Sequence, residues 1–239
     1  MCGRFTLKTS TKQLATMFDG LKFGDSQPRY NICPTQPVLG IRLNAEESRC
    51  ESVNFRWGLI PSWAKQITIG AKMINARCET IADKPAFRNA FKLGSTARGR
   101  CLILADGFYE WKNLGGSKQP FYISLKCEQP FAMAGLWECW ADPERRSGTI
   151  ESCTIMTQPA TPFMQDLHDR MPAILSAEAG MEWLKTDLDG SKLIDWLNVV
   201  NHNVDLQAWP VSDRVNKPVN DSPELIHPVE GRGSQGLLF

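Results

Sequence analysis

The chain has 239 residues, of which 42% are apolar and 22% charged, with 27 Lys and Arg against 26 Asp and Glu. That composition over that length fills a real core and excludes general disorder, and no apolar run approaches the roughly 20 residues a bilayer span needs. A formal charge of +1 also excludes broad coating of duplex nucleic acid, which draws on many phosphate contacts, so a nucleic-acid site has to be a local patch.

In chain order, Met1-Cys2-Gly3-Arg4-Phe5 runs into polar residues with no apolar stretch of a secretory signal, which points to the cytoplasm. Thr9-Ser10-Thr11 precedes Lys12 to Phe18, and Asp19-Gly20 closes a short capped helix. Residues 38–43, 52–57, 72–80, 101–105, 108–112, 120–125, 130–137, 151–157 and 170–175 are rich in β-branched, aromatic or aliphatic side chains and read as strands. Between them, Lys84 to Phe91 carries Pro85 in a first helical turn, with Gly94 as a stop. Residues 141–150 are a polar loop, Ser176 caps a helix bearing Met181, Trp183 and Leu184, and Ser191 to Val199 forms another. Strands dominate, so the expected class is α+β: one compact domain over residues 2–228, a mainly antiparallel sheet or barrel-like core with flanking short helices. Residues 229–239 are expected to be a flexible tail.

The eight cysteines are never closer than 12 residues and lack His neighbours, so neither a zinc site nor a disulfide framework is indicated. No P-loop and no Gly-x-Gly-x-x-Gly occurs, and no cofactor is expected.

Cys2 opens the chemistry. Removal of Met1 would make it the first residue, and an α-amine with a pKa near 8 is about a tenth neutral at pH 7, far more than any lysine. With its thiol alongside, this aminothiol can form a Schiff base with an aldehyde and then close a five-membered thiazolidine. The same Met1-Cys2-Gly3 start fits a thiol amidase or peptidase of the N-terminal-nucleophile type. Arg4 in place of an aliphatic residue, and the absence of any Asn-Gly pair, tell against that alternative.

Asn75, Arg77 and Glu79 alternate with Ile74, Ala76, Cys78 and Thr80, so on one strand they would share a face, either lining a polar cleft or simply solvated. Glu110 sits among Phe108, Tyr109 and Trp111; shielding by rings would raise its pKa, whereas pairing with Lys112 would leave it an ordinary surface carboxylate. His168, in Asp166-Leu167-His168-Asp169-Arg170-Met171-Pro172, is the histidine in the most polar company, although a lone histidine is often structural. Trp57 and Trp63 bracket a turn-rich loop, with Trp57 expected in the core, and Arg4, Arg77, Arg88 and Arg170 fall near these motifs. Aromatics with arginines suit single-stranded nucleic acid, and a noncatalytic strand-binding module is a third reading.

Taken together, these segments closely resemble the SRAP family, the SOS-response-associated peptidases of the abasic-site crosslinking type. The resemblance runs through Met1-Cys2-Gly3-Arg4-Phe5, Arg29-Tyr30-Asn31-Ile32-Cys33-Pro34, Trp57 to Trp63, Asn75-Ala76-Arg77-Cys78-Glu79-Thr80, Ala105 to Lys112, His168 to Pro172, and Pro210-Val211-Ser212 to Asn216. It implies a sensor of abasic sites in single-stranded DNA, including junctions with duplex, that crosslinks the lesion aldehyde through Cys2. Associated strand cleavage and self-processing come with it, although only Met1 precedes Cys2 here. By resemblance, Asn75 positions the amine, Glu110 shuttles protons and His168 assists sugar-ring opening. Arg4, Arg77, Arg88 and Arg170 hold phosphates, Trp63 stacks on a base, and Asn31 and Pro34 complete the DNA-binding set. The implied form is a monomer without cofactor, metal or membrane contact, cytoplasmic and nucleoid-associated when on DNA.

Overall fold

A computed structural model describes residues 2–44, 46, 49–93, 99–144, 148–201 and 204–229. The elements in chain order are β1 (Arg4–Leu7), α1 (Thr11–Met17), β2 (Arg29–Ile32), β3 (Pro37–Asn44), β4 (Arg49–Trp57), β5 (Asn75–Arg77) and α2 (Arg88–Lys92). There follow β6 (Arg100–Ala105), β7 (Gly107–Leu114), β8 (Ser117–Leu125), β9 (Phe131–Ala141), β10 (Thr149–Pro159), α3 (Pro162–Gln165), β11 (Arg170–Pro172), β12 (Ile174–Leu175), α4 (Ala177–Lys185), α5 (Gly190–Asn201) and β13 (Leu206–Pro210). Single 3-10 turns lie at Ile67–Lys72, Cys78–Thr80, Asp213–Asn216 and Pro223–Ile226.

Strands β10, β4, β3, β6 and β9 close into a five-stranded barrel, because β9 pairs with both β6 and β10; only the β10–β4 pairing within it is parallel. Closure removes the two exposed edges of an open sheet. It also buries both faces of β6 and most of β9, which is why these strands read as continuous apolar runs. β5, β11 and β12 extend the barrel at β10 and β9, and a second sheet runs β13-β8-β7-β1-β2. The chain crosses from barrel to sheet at Asp106, whose carboxylate accepts the backbone N–H of Thr9 at 3.1 Å and also that of Lys8. One large core cluster spans the barrel and its helices, from Phe5 and Leu14 to Leu197 and Leu206.

Local chemistry explains the helices. Ser10 and Gln13 form a reciprocal capping box on α1, each bond 3.3 Å, and Asp19 and Gly20 at positive φ end it. Ser176 caps α4 through the N–H of Ala179, and buried Trp183 on that helix donates to the Cys101 carbonyl of β6 at 3.0 Å. Trp57 is fully buried, as its sequence context suggested.

Several expectations need correction. The run 72–80 is not one strand: Asn75–Arg77 pairs with β10, but a 3-10 turn at Cys78–Thr80 follows, so Glu79 leaves the Asn75 face. Three residues suffice because β5 is only an appendage to a parallel edge. The run 170–175 breaks at Ala173, whose N–H and C=O bond to Met156 and Ala134, handing the chain from β10 to β9. The helix expected over 84–91 is confined to Arg88–Lys92, and strands β1, β2 and β13 were not expected at all. Their four or five residues carry too little periodicity to stand out. Within the polar 141–150 stretch, β9 ends at Ala141 and β10 starts at Thr149. Gly94, His202 and 230–239 lie outside the described residues.

Candidate active site

Cys2 immediately precedes β1, which lies between β7 and β2. The β1–β7 register sets Arg4 opposite Tyr109 and Phe5 opposite Phe108, which brings the start of the chain beside Glu110. The Cys2 side chain is fully buried, and its Sγ–H donates to the Arg4 carbonyl at 3.7 Å. Burial first, and the nearby Glu110 charge second, push its thiol far above the usual range. A resting thiolate is therefore not what this position supplies.

Glu110 is 2% exposed, so it is no surface partner of Lys112. Burial raises its carboxyl to about 7, balanced between acid and base at neutrality. Phe108 shares its strand face, whereas Tyr109 and Trp111 point to the other side, where Tyr109 packs on Tyr122.

The parallel β5–β10 pairing sets Asn75 beside Ile155 and aims its amide at the start of the chain, where Nδ2 donates to the Cys2 carbonyl at 2.8 Å. Its Oδ1 is buried without a hydrogen-bond partner among the described residues, an acceptor held ready beside Cys2. His168 follows α3, and its Nδ1 accepts the N–H of Arg170 at 2.9 Å while lying 2.7 Å from Asp169 Oδ1. Burial, ahead of neighbouring charges, lowers its pKa and favours neutral imidazole at pH 7. Glu110 and His168, with Trp111, Lys118 and Asn216, line an open cleft of about 430 Å³.

The expected DNA contacts divide sharply. Arg77, Arg88 and Trp63 are exposed, Trp63 by 54%. Gly58 at φ 118 packs against the Gly70 backbone and turns the chain out of β4 into the Trp63 loop. Pro34 is half-buried. Arg170 is buried at 9% exposure, forked onto Glu79 at 2.5 and 2.9 Å and bonded to the Thr157 carbonyl at 2.6 Å. Arg4 donates to Asn31 Oδ1 and the Asn216 carbonyl, both at 3.0 Å, and to the Val215 carbonyl. Asn31 is fully buried, its Nδ2 shared among the carbonyls of Val215, Lys217 and Asn220. It braces the Asp213–Asn216 turn and has no exposed surface in the free chain.

Trp111, Lys118 and Asn216 were not singled out by sequence as cleft residues. Trp111 and Asn216 stood inside quoted motifs without a role, and Lys118 follows Gly115-Gly116-Ser117, a context that reads only as a turn.

A cysteine at position 2, an amide and a buried carboxylate that meet beside β1 define a site built around the first residues of the chain. The chain belongs to the SRAP family: the profile described as SOS response associated peptidase (SRAP) matches residues 1–218. It is 42% identical over 230 residues to the abasic site processing protein YoaM of Bacillus subtilis, covering 95% of this chain and 97% of that one. Abasic site processing protein YedK of Escherichia coli is 33% identical, over 96% of this chain and 100% of that protein. Abasic site processing protein HMCES of Gallus gallus is 31% identical, over 88% and 69%. Among solved structures, a Bacteroides thetaiotaomicron protein superposes with a TM-score of 0.79 at 25% identity, over 96% of this chain and all of that one.

Proposed function

We propose that this chain processes abasic sites in DNA, and that it does so on single strands by a covalent crosslink through Cys2 once Met1 is removed. The observation that carries the reading is the convergence on Cys2 of the Asn75 amide, at 2.8 Å from its carbonyl, and the Glu110 carboxyl, raised to about 7. The relatives named for abasic-site processing support the substrate class.

In this mechanism the neutral Cys2 amine adds to C1′ of the open-chain sugar. Water leaves with a proton from Glu110, giving a Schiff base. The thiol then adds to the same carbon, its proton passing to the nitrogen through Glu110, and a thiazolidine closes. Each step needs a group that both gives and takes a proton near neutrality. The raised thiol pKa fits this order, because the thiol attacks second, on an activated carbon, and need not be ionised at rest. The unpartnered Asn75 Oδ1 is placed to accept from the freed amine, and neutral His168 assists opening of the cyclic sugar. Exposed Arg77 and Arg88 meet phosphates, and Trp63 offers a ring for a flanking base. With the Schiff base formed but ring closure blocked, β-elimination would cut the strand. All these groups come from one chain, so a monomer suffices.

The test is intact mass before and after incubation with a single-stranded oligonucleotide bearing one abasic site. A starting mass without Met1, then a gain of the oligonucleotide minus water that survives denaturation, is expected. Cys2→Ala is expected to lose the stable adduct. A stable adduct with that variant would overturn the mechanism, and no adduct with a correctly processed chain would direct attention to amide substrates.

A further inference from the structure

The cleft wall beyond Glu110 is built from residues that the mechanism above leaves unused. Trp111 Nε1–H donates to Asn216 Oδ1 at 2.8 Å. An indole nitrogen can only donate, so this bond fixes which end of the Asn216 amide faces Trp111 and turns the two Nδ2 hydrogens away from it. No protein group among the described residues accepts from that Nδ2, and Asn216 lines the cleft. The backbone beneath is fixed as well: Arg4 donates to the Asn216 carbonyl at 3.0 Å, and Asn31 to the Val215 carbonyl at 3.2 Å. On the same wall Lys118 of β8 presents an ammonium that pairs with no carboxylate among the described residues.

Two amide hydrogens held in a set orientation before anything binds, with an unpaired cation beside them, suit a group rich in acceptor oxygens and negatively charged. We propose that Lys118 and Asn216, the latter oriented by Trp111, form a phosphodiester seat at the mouth of the Glu110–His168 cleft, holding a phosphate that flanks the abasic sugar. The seat rests on the abasic-site reading above and adds positioning residues to it. Asn216 and Lys118 set where the sugar lies; Trp111 acts through Asn216.

The experiment measures binding of a single strand carrying a tetrahydrofuran residue, which has no aldehyde, at several salt concentrations. Crosslinking rates with a true abasic strand are followed separately. Asn216→Ala and Lys118→Met are each expected to weaken binding about tenfold, the scale of one good charge-assisted contact. Crosslinking at saturating strand is expected to slow as well, because the seat sets where the sugar lies. Lys118→Met is also expected to reduce the salt slope by about one. Trp111→Phe keeps a ring but loses the N–H, and it is expected to weaken binding in the same direction as Asn216→Ala, with little added effect in the double variant. Replacing the flanking phosphates one at a time by uncharged methylphosphonates identifies the seated group, because at that position Lys118→Met should cost nothing further.

Variants that melt like the parent yet bind within twofold of it, with the same salt slope, would overturn the seat. So would sensitivity to Lys118→Met that survives every methylphosphonate. Failure of the parent to crosslink an abasic strand would instead count against the abasic-site reading, and the strand-binding arm would still decide the seat.

Discussion

At the residue scale, the Glu110 carboxyl ties stability to chemistry. Burial lifts it from 4.5 to about 7, so between those values the folded protein holds a proton that the unfolded chain has released. Stability therefore falls as pH rises through that window and is flat above it, by a total on the order of 3 kcal/mol. Glu110→Gln is expected to melt higher than the parent at pH 8, to match it near pH 5, and to lose the pH slope between. The same variant is expected to slow crosslinking by roughly a hundredfold, the usual worth of a positioned proton carrier, and to erase any rate inflection near neutrality. Asn75→Ala would show a different pattern: crosslinking slowed with its pH profile intact, since the amide orients and does not titrate. These residue types announced themselves in the sequence, because a second-position cysteine, a carboxylate among aromatics and a histidine in polar company carry chemistry whatever surrounds them. Their environments were not legible. Whether Glu110 reached solvent beside Lys112 or was shielded depended on what packs over that face of β7.

At the element scale, the Asp213–Asn216 turn is held to β1 and β2 by a clamp of side chains. Arg4 and Asn31 take its carbonyls, while Asp221 accepts the N–H groups of Tyr30 and Asn31 at 2.5 and 2.9 Å and pairs with Arg29 at 2.5 Å. Asn31→Ala would leave the carbonyls of Val215, Lys217 and Asn220 without their shared donor and Arg4 without one of its three acceptors. An expected loss of about 2–3 kcal/mol, read as a lower urea midpoint, follows from stranding buried polar groups. Earlier proteolytic cleavage between residues 213 and 221 should accompany it. The resemblance implied DNA contacts for Asn31 and Arg4, and nothing in the sequence around Arg4, Arg29 or Asn31 pointed to this clamp. Their partners lie about 190 residues further on, and no local pattern reports a contact of that kind. Arg170 is similar: its fork onto Glu79 exists because the 3-10 turn after β5 swings that carboxylate away from Asn75 and toward β11.

At the scale of the whole molecule, barrel closure decides both stability and site geometry. Gly40 sits on β3 between β4 and β6, and a Cβ there would collide with the Leu102 carbonyl and reach the Phe55 ring at 3.0 Å. Gly40→Ala is expected to cost about 1–3 kcal/mol by overpacking, lowering the urea midpoint without changing the slope of the transition. Because β10 carries β5 and β11 as well as two barrel seams, loosening the barrel should also slow crosslinking, through displacement of Asn75 and His168 together. No helix among the described residues is long and apolar enough to cross a membrane.

By itself the sequence determined the chemical vocabulary of this protein: the aminothiol of Cys2, the amide, carboxylate and imidazole at 75, 110 and 168, and enough alternating apolar segments to make a strand-rich fold. These are properties of residue types and of spacing along one strand, both of which survive without knowledge of neighbours. Only the tertiary structure decided which polar residues reach the surface or the cleft and which brace the frame. It buried Asn31 and Arg170, left Arg77 and Trp63 outside, and turned Lys118 and Asn216 toward the cleft. The reason is physical: strand register and closure set which side chains meet across nearly two hundred residues, and a shift of one residue in any ladder would exchange every inward group for an outward one.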